Sequence, residues 1–344
     1  MDRKLVLLLG VCSLILLSCA PVQENESVIL LPPRNAMAAD SIVIPLANVQ
    51  SCCVWEDSLL VAKHKSSSSE VALSVYNTKS REVVYSIDYG SGDDCVLGFL
   101  FSVSQEGVLL RDFVKKRVSL LTRETLKQGE KAVFQESNLT AQYAVAMADH
   151  RILYLNPASL GGADKRFLLT DTNYHAAPEK KYGYDNFNVV DGYILMETGG
   201  KRLCYADKHS GEIEFYGDKG TLVKKIQIAA APEPEYYIRE DGRIKHRIFL
   251  NYVPFSFVSA SSRKSAISLL YDPYYLTPDE EYVYMEPSAS VLMLDWEGNL
   301  VNAFSLPDHR HPKGCSISPE GKVCVYYCEE QLIRAVTVEI EANS

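Results

Sequence analysis

The stretch SPEGKVCVYY at 318–327 decides the fold. It opens with a tight-turn sequence, in which Pro319 fixes φ, Glu320 can bond its own backbone and Gly321 adopts the positive φ that closes the turn. A β-rich run at 323–327 follows directly. The ten residues therefore predict a β-strand that leaves a tight turn, which is one half of a hairpin.

The pattern of an acidic turn followed by a β-rich run recurs along the chain. The other copies are WEDSLLVAKH (55–64), SQEGVLLRDF (104–113), ADHRILYLNP (148–157), VDGYILMETG (190–199) and TPDEEYVYME (277–286). Aligned on the acidic residue, all the copies fall at Asp57, Glu106, Asp149, Asp191, Asp279 and Glu320. Successive copies lie about 40 to 50 residues apart, except for one interval of about twice that length, and this period is typical of a β-propeller blade.

A second family of hairpin patterns alternates with the first. Its members are the segments 71–90, 117–134, 201–217 and 291–307. Each is predicted to form two strands about a short turn, such as Glu297-Gly298-Asn299. We predict that a blade combines one inner hairpin from the acidic-turn set with one outer hairpin from this set. No window sustains an apolar 3.6-residue period over three turns, so the fold class is predicted to be all-β.

The number of blades depends on the segment 229–270. It opens with a loop composition, AAAPEPE at 229–235, and Asp241-Gly242 within it is a candidate seventh turn. The off-rhythm position of that turn favours an insertion and therefore a six-bladed β-propeller, with seven blades as the alternative. We expect one domain over 41–344, closed by pairing of the run at 41–46 beside the C-terminal run at 335–340.

The N-terminus has the features of an export signal. Arg3 and Lys4 precede an apolar stretch at 5–17 that is too short to span a bilayer, and Leu16-Leu17-Ser18-Cys19 resembles a bacterial lipobox. That resemblance implies a signal peptide over 1–18, cleavage before Cys19 and acylation of Cys19 as the membrane anchor. The alternative is an ordinary signal peptide with a chance cysteine. Residues 19–40, which include three prolines, are predicted to be a linker.

Composition excludes some classes of partner. The chain has 344 residues, a formal net charge of −9 and no clustered basic stripe, so nucleic acid is not expected as a partner. Beyond Cys19 and the signal peptide there are seven cysteines, an odd number that cannot all pair internally. We expect most of them to be small buried apolar residues.

The sequence resembles a known group in several places. The lipobox, the acidic turns at 277–281 and 318–322, the stretch YGSGDD at 89–94 and LDWEGNLVNAFSLP at 294–307 resemble the six-bladed, TolB-like propeller lipoproteins of Bacteroidetes. The group usually carries a Gly-Gly-Pro-type turn where this chain has Gly92-Asp93-Asp94. The resemblance implies a cell-envelope location, lipid-anchored to the outer membrane on its periplasmic or exposed side. It implies no catalytic residues.

The best candidate for a metal site is a His and Cys cluster near the C-terminus. His309 and His311 precede Cys315, and Cys324 and Cys328 follow in the next strand. If residue 317 faces residue 324 across the hairpin, the three thiols share one face and suit zinc. The alternative is a set of buried apolar thiols, which we favour, so no metal or cofactor is predicted. A disulfide of Cys52 with Cys315 or Cys324 is another possibility that the sequence leaves open.

The sequence contains no recognisable catalytic motif, since GxSxG, HExxH and nucleotide-loop patterns are absent. We therefore expect a non-enzymatic propeller that binds a protein or glycan partner. The first alternative is a carbohydrate-active enzyme, a lyase or hydrolase, with a site at the channel mouth where Tyr174, His175 and His246 would converge. The second is a structural component of an envelope complex. Tyrosine clusters at 182–184, 236–237 and 271–275 suit either stacking on a ligand or packing between blades.

Overall fold

The structure is a computed structural model of the chain. It describes residues 25–31, 36–55, 58–139, 141, 143–155, 167–176, 191–197, 199–217, 220–241, 244–263, 265–279, 281–286, 288–306, 311–318 and 321–340. The predicted signal peptide, Cys19, Asp57, His309, Glu320 and the tyrosines at 182–184 lie outside these ranges. Lipidation and signal cleavage therefore stay predictions.

The fold is a six-bladed β-propeller, as predicted. Two N-terminal strands, described below, join blades from the outside. Within each blade the strands are named in order from the central channel to the outer edge. Blade 1 contains β3 (Val49–Trp55), β4 (Leu59–His64), β5 (Val71–Asn77) and β6 (Glu82–Asp88). Blade 2 contains β7 (Phe99–Ser104), β8 (Gly107–Asp112), β9 (Arg117–Leu121) and β10 (Gln135–Glu136), and blade 3 contains β11 (Ala144–Ala146), β12 (Ile152–Leu155) and β13 (Phe167–Leu169).

The last three blades follow the same plan with additions. Blade 4 contains β14 (Gly192–Met196), β15 (Leu203–Asp207), β16 (Glu212–Tyr216) and β17 (Leu222–Ile228). Blade 5 contains β20 (Val253–Ser262), β21 (Ile267–Leu276), β23 (Ser290–Leu294) and β24 (Leu300–Ser305), with β22 (Tyr282–Tyr284) on the end of β21. Blade 6 contains β25 (Gly314–Ile317), β26 (Val323–Cys328) and β27 (Ile333–Ile340).

The segment 229–270 is an insertion followed by a blade strand, which settles the blade number. Strands β18 (Tyr236–Asp241) and β19 (Ile244–Phe249) pair only with each other in a two-stranded ribbon between blades 4 and 5. The candidate turn therefore falls between the two ribbon strands, and neither of these strands belongs to a seventh blade.

The ring closes by the pairing that the sequence predicts. Strand β2 (Ala36–Ile44) runs antiparallel to β27, with Ser41 opposite Val336, and becomes the outermost strand of blade 6. A second N-terminal strand, β1 (Asn25–Ile29), pairs parallel to β17 on the outer edge of blade 4. Parts of the segment predicted to be a linker are thus held by backbone hydrogen bonds at two blade edges.

The core consists of apolar layers between neighbouring blades. A separate cluster of buried side chains lies between each blade and the next around the ring, including between blade 6 and blade 1. Both faces of an inner sheet are therefore buried. This explains why a strand such as β8 is buried at every position instead of alternating between core and solvent.

Two of the acidic turn residues occupy different places from those predicted. Glu106 and Asp149 lie in the turn between the first two strands of their blades, as expected. Asp191 instead precedes β14 at the opposite end of that strand, and Asp279 lies in the turn between β21 and β22. The predicted inner hairpins are therefore wrong for blades 4 and 5, because a turn sequence does not reveal which turn of a blade it forms.

One predicted hairpin contains a helix. The segment 117–134 begins with β9, but its second half forms α1 (Arg123–Gln128) before β10 completes the sheet. The Thr122 side chain accepts a hydrogen bond from the Thr125 N–H at the start, and Gly129 adopts a left-handed φ of 65° at the end. A helix of six residues is too short for a three-turn periodicity test to detect.

The C-terminal thiols do not share one face. The observed register places Cys315 opposite Val325 and Ser316 opposite Cys324. Cys315 therefore packs between blades 5 and 6, whereas Cys324 and Cys328 face blade 1. The predicted register, with residue 317 opposite residue 324, was off by one residue, and a slip of one residue exchanges the two faces of a strand.

Candidate functional site

The central channel contains a cavity of about 470 Å³. Residues from the innermost strand of every blade line it, and they cluster near the carboxyl ends of those strands. The lining residues are Cys53, Val54, Trp55, Val103, Ser104, Gln105, Arg123, Val145, Ile194, Leu195, Met196, Ala260, Ser261, Ser262, Arg263 and Ser316. The volume suits a small ligand or the end of a larger one.

The polar lining of this channel cavity is cationic and rich in hydroxyls. Its charged side chains, among the described residues, are Arg123 and Arg263, and four serines and Gln105 add uncharged donors and acceptors. Guanidinium groups present forked N–H donors that match carboxylate, sulfate and phosphate oxygens. The lining therefore has the chemistry of a site for an anion that also carries hydroxyl groups.

The two arginines are positioned by different local structures. Arg263 follows β20 directly; its Nε donates to the carbonyl of Ile317 at 2.7 Å, and its own carbonyl accepts from Trp296 Nε1 at 3.1 Å. Arg123 is the first residue of α1, directly after the Thr122 cap, and its side chain is exposed. One guanidinium is thus tied to the wall of the channel and the other stands at its mouth.

The thiol in the cavity lining is not an activated nucleophile. Burial raises the pKa of Cys53 to about 12, outweighing the opposing effect of a backbone hydrogen bond with Val54. A cysteine acts as a nucleophile in its thiolate form, which a pKa this high disfavours at neutral pH.

A buried ionic cluster lies at the amino end of the inner strand β14, at the opposite end of that strand from the cavity. Asp191, directly before β14, lies 3.3 Å from Lys208 Nζ through one carboxylate oxygen and 3.2 Å from His209 Nε2 through the other. His209 Nδ1 lies 2.6 Å from the Pro254 carbonyl oxygen. The ring thus lies between the Asp191 carboxylate and a backbone carbonyl. We call Asp191, Lys208, His209 and Tyr143 the Asp191 cluster.

The groups of the Asp191 cluster neutralise one another. Burial raises the pKa of Asp191, but Lys208, His209 and Tyr143 together outweigh burial and hold the pKa well below its usual range. The hydroxyl of Tyr143 accepts a hydrogen bond from Lys208 Nζ, and the ammonium also lies 4.5 Å from the centre of the Tyr143 ring. Burial and the Asp191 charge raise the pKa of Tyr143. The cluster is therefore a bonded structural unit.

A third polar feature lies on blade 5. Asp272 is 1% exposed, and both of its carboxylate oxygens lie 3.0 Å from His311 Nδ1. Burial raises the pKa of Asp272 against the opposing effect of His311. The ring of His311 stacks on Tyr284. Among the described residues, the hydrogen bonds of His311 run to Asp272, so no hydroxyl or thiol nucleophile is coupled to this pair.

Exposed aromatic side chains gather on the same side of the molecule as the Asp191 cluster. They lie on the ribbon, at the start of β20 and on β22, and we call them the blade 5 aromatic surface: Tyr236, Tyr237, Tyr252 and Tyr282, which are 41% to 59% exposed. Beneath them Phe255 stacks on Tyr274 with ring centres 4.7 Å apart. The predicted tyrosine clusters thus divide, some tyrosines facing solvent and others packing within the blade.

The three residues proposed for an enzymatic site do not meet at the channel cavity. Tyr174 is half-buried between blades 2 and 3, where its carbonyl accepts from Ser137 Oγ at 2.6 Å. His175 is exposed and lies 3.9 Å from Asp171. His246 lies in β19, away from the cavity lining, and its side chain falls outside the described residues. That prediction was wrong for Tyr174 and His175.

Sequence reasoning also missed the residues that line the cavity. Arg123 and Arg263 stand beside the carboxyl ends of inner strands, but the sequence does not show which strand of a blade is innermost. One sequence signal could have pointed to Arg263. A long β-rich run ends in the serine pair at 261–262, and Arg263 follows it directly.

The described residues contain no group of three or more His, Cys, Asp or Glu side chains arranged to hold a metal ion. His309 of the predicted zinc cluster falls outside them. No helix in the described part of the chain has the length and hydrophobicity needed to cross a membrane.

Comparison with known proteins supports the fold. No protein-family model matches the sequence, and no curated protein matches it. Among solved structures, a member of the DUF4221 family from Bacteroides vulgatus superposes with a TM-score of 0.54 at 11% identity, covering 90% of this chain and 99% of that one. A Bacteroides thetaiotaomicron protein of unknown function gives a TM-score of 0.45 at 10% identity, with 89% and 73% covered. At 11% identity, the likeness to the Bacteroides vulgatus protein concerns the fold alone.

Proposed function

We propose that this protein is a non-enzymatic binding propeller whose channel cavity takes a small anion rich in hydroxyl groups, such as the acidic sugar at the end of a glycan. The observation that carries this proposal is the cavity lining, in which Arg123 and Arg263 accompany four serines without a lining carboxylate among the described residues. A carboxylate on the ligand would accept from the guanidinium groups, and its hydroxyls would bond to the serines.

The distribution of ionisable groups favours binding over catalysis. Hydrolysis or elimination requires a base or nucleophile that reaches the ligand. The acid and base groups of the Asp191 cluster are engaged with one another at the opposite end of the channel, and the Cys53 thiol is protonated at neutral pH because burial raises its pKa to about 12. The cavity therefore supplies recognition groups, while the acid and base groups of the Asp191 cluster are structural.

Calorimetric titration tests the proposed ligand class. Glucuronate is the probe, and glucose, which lacks the carboxylate, is the matched neutral control. We expect heat of binding for glucuronate only, and an affinity at least about tenfold weaker for Arg123→Gln, since one charged hydrogen bond contributes roughly 1.5 to 3 kcal/mol. Arg334→Gln removes the same charge from the outer part of blade 6 and should leave the affinity unchanged. Equal binding of glucose, or an equal effect of Arg334→Gln, would refute the proposal.

The blade 5 aromatic surface favours a second, larger contact. Tyrosine rings offer flat apolar faces with a polar edge, which suit stacking on a sugar ring or packing against a protein. We propose that an envelope protein or glycan partner contacts this surface. A paired substitution, Tyr252→Ala with Tyr282→Ala, should abolish capture of that partner from an envelope extract, whereas glucuronate binding in the cavity should persist. Retained capture would contradict the role of this surface.

We also propose that the protein is a lipoprotein of the cell envelope, anchored in the outer membrane through acylated Cys19 and related to the TolB-like group. The support is the Leu-Leu-Ser-Cys sequence that ends an apolar stretch. Expression with radiolabelled palmitate should label the wild-type chain, and Cys19→Ala should abolish the label and release the protein from membranes. Persistent labelling of Cys19→Ala would reject this anchor.

A further inference from the structure

Two free cysteines meet where the ring of blades closes. Cys52 lies on β3, the inner strand of blade 1, and Cys328 is the last residue of β26 in blade 6. Their sulfur atoms are 4.0 Å apart although the residues are 276 positions apart in the chain. The contact therefore joins the first and last blades of the propeller.

The other described cysteines have different surroundings. Cys315 faces blade 5, where its thiol lies 3.6 Å from Ser268 Oγ. Cys204 is fully buried within blade 4. Cys324 is on the same face of β26 as Cys328, since residues four apart in a strand point the same way. A test of the Cys52 and Cys328 pair must therefore separate Cys328 from Cys324.

The two thiols differ in reactivity. Its hydrogen bond with Cys52 lowers the pKa of Cys328, burial opposes this, and the charges of Lys313 and Lys65 lower it further. The same hydrogen bond and burial raise the pKa of Cys52. Cys328 is also half-buried, whereas Cys52 is 4% exposed. Cys328 is thus the thiolate that an oxidant meets first, with Cys52 placed as the second thiol.

We propose that Cys52 and Cys328 form an intramolecular disulfide that links blade 1 to blade 6 when the protein meets a small disulfide oxidant such as oxidised glutathione. This bond is independent of the ligand proposed for the channel cavity. It would reinforce the same closure of the ring that β2 and β27 make through backbone hydrogen bonds.

The exchange balances in two steps. The Cys328 thiolate attacks one sulfur of oxidised glutathione, forming a mixed disulfide and expelling one glutathione thiolate, which takes up the proton that Cys328 released. Cys52 then loses its proton and attacks the Cys328 sulfur, so that the second glutathione leaves as a thiolate and is protonated. Two protein thiols are oxidised, and one oxidised glutathione is reduced to two glutathione molecules.

The geometry requires a modest approach of the sulfurs. A disulfide bond is about 2.05 Å long, so the sulfur atoms have to move about 2 Å closer together. Cys328 ends its strand and is followed by the turn at 329–332, where the backbone is not part of a ladder. The side that has to move is therefore the end of a strand.

Peptide mapping of the purified full-length chain tests the proposal. Trypsin produces one peptide, 35–63, with Cys52 and Cys53, and another, 323–334, with Cys324 and Cys328. To assign the bond, Cys53→Ser and Cys324→Ser are combined, which leaves one thiol in each peptide. After treatment with oxidised glutathione and alkylation of the remaining thiols, we expect the two peptides to be linked. Alkylation of both Cys52 and Cys328 would overturn the proposal.

A thermal melt provides the second measurement. Oxidation should raise the unfolding midpoint of the wild-type chain by about 5 °C or more, because the bond closes a long loop in the unfolded state. Cys328→Ser, at a half-buried strand end, should fold and lose both the link and the shift. Cys95→Ser, which removes another half-buried thiol, should keep both. A shift that survives in Cys328→Ser would equally refute the assignment.

Discussion

Charged side chains differ in their surroundings at the two ends of the inner strands. At the carboxyl ends of the inner strands, Arg123 and Arg263 stand beside an open cavity. At the amino ends, Asp191 is held between Lys208 and His209, and the charges are compensated within the protein. The acidic and basic groups that are engaged with one another therefore lie away from the cavity. Perturbed pKa values indicate a functional site only where the groups can also reach a ligand.

The largest effect that would test this contrast is the removal of the buried carboxylate. Asp191→Asn leaves the Lys208 ammonium without its counter-charge and His209 without its carboxylate partner, and we expect the free energy of unfolding to fall by about 3 to 5 kcal/mol. Urea denaturation measures it. Asp149→Asn is the control, since the Asp149 and Arg151 pair is exposed and should contribute less than about 1 kcal/mol. Unchanged stability with lost ligand binding would reverse the roles of the two ends.

The Asp191 carboxylate should also make the stability of the protein depend on pH in the acidic range. The folded-state pKa of Asp191 lies below its unfolded value, so its contribution is present above about pH 4 and is lost as pH falls through the folded pKa. Between pH 5 and pH 2.5 the wild-type chain should therefore lose about 2 kcal/mol more stability than Asp191→Asn. Urea titrations at several pH values check this. Parallel curves for the two proteins would show that Asp191 ionises as it does in the unfolded chain.

A carboxylate introduced at the open end should affect binding instead of folding. Ser262→Glu places a negative charge beside the cavity arginines, and we expect glucuronate affinity to fall about tenfold, which corresponds to roughly 1.4 kcal/mol. Ser262→Gln has a similar size without the charge and serves as the control. Calorimetry measures the affinity and urea denaturation the stability. Equal losses in both variants would mean that the cavity selects by shape and not by charge.

The smallest expected effect comes from one hydroxyl of the Asp191 cluster. Tyr143→Phe keeps the ring beside Lys208 and removes the hydroxyl that accepts from Lys208 Nζ. We expect a loss of about 1 kcal/mol in the free energy of unfolding, with unchanged glucuronate affinity. Tyr85→Phe, which removes the hydroxyl that accepts from the Ala132 N–H, provides a comparison between blade 1 and the end of blade 2. A greater effect on affinity than on stability would place Tyr143 in a ligand site.

The architecture was predictable because it depends on periodic features. Turn sequences with glycine or acidic residues repeat once per blade, and the runs at 41–46 and 335–340 are β-rich segments on either side of the repeated turn units. The spacing of these repeats predicted the correct number of blades, although Asp191 and Asp279 were assigned to the wrong turns. Spacing constrains how many sheets there are, whereas the assignment of a turn within a sheet depends on tertiary contacts.

The candidate site was not predictable for the same reason. Which strand is innermost, and which strand ends enclose open space, follows from the packing of all the blades together. The one-residue error in the register of β25 and β26 shows how little local information fixes a face, because both faces of these strands are apolar. Arg123 was missed because the helix that begins with it is only six residues long.

The parallel pairing of β1 with β17 has a mechanical consequence. Strand β1 is bound to the edge of blade 4 and β2 to the edge of blade 6, so the chain between them connects two blades that are not neighbours. In the proposed anchored protein, tension on Cys19 would reach β1 first and load its backbone hydrogen bonds to β17. The strand β2, which closes the ring, would be loaded only after β1 had detached. In that anchored protein, the attachment to blade 4 would protect the pairing of β2 with β27, which closes the propeller, from the applied force.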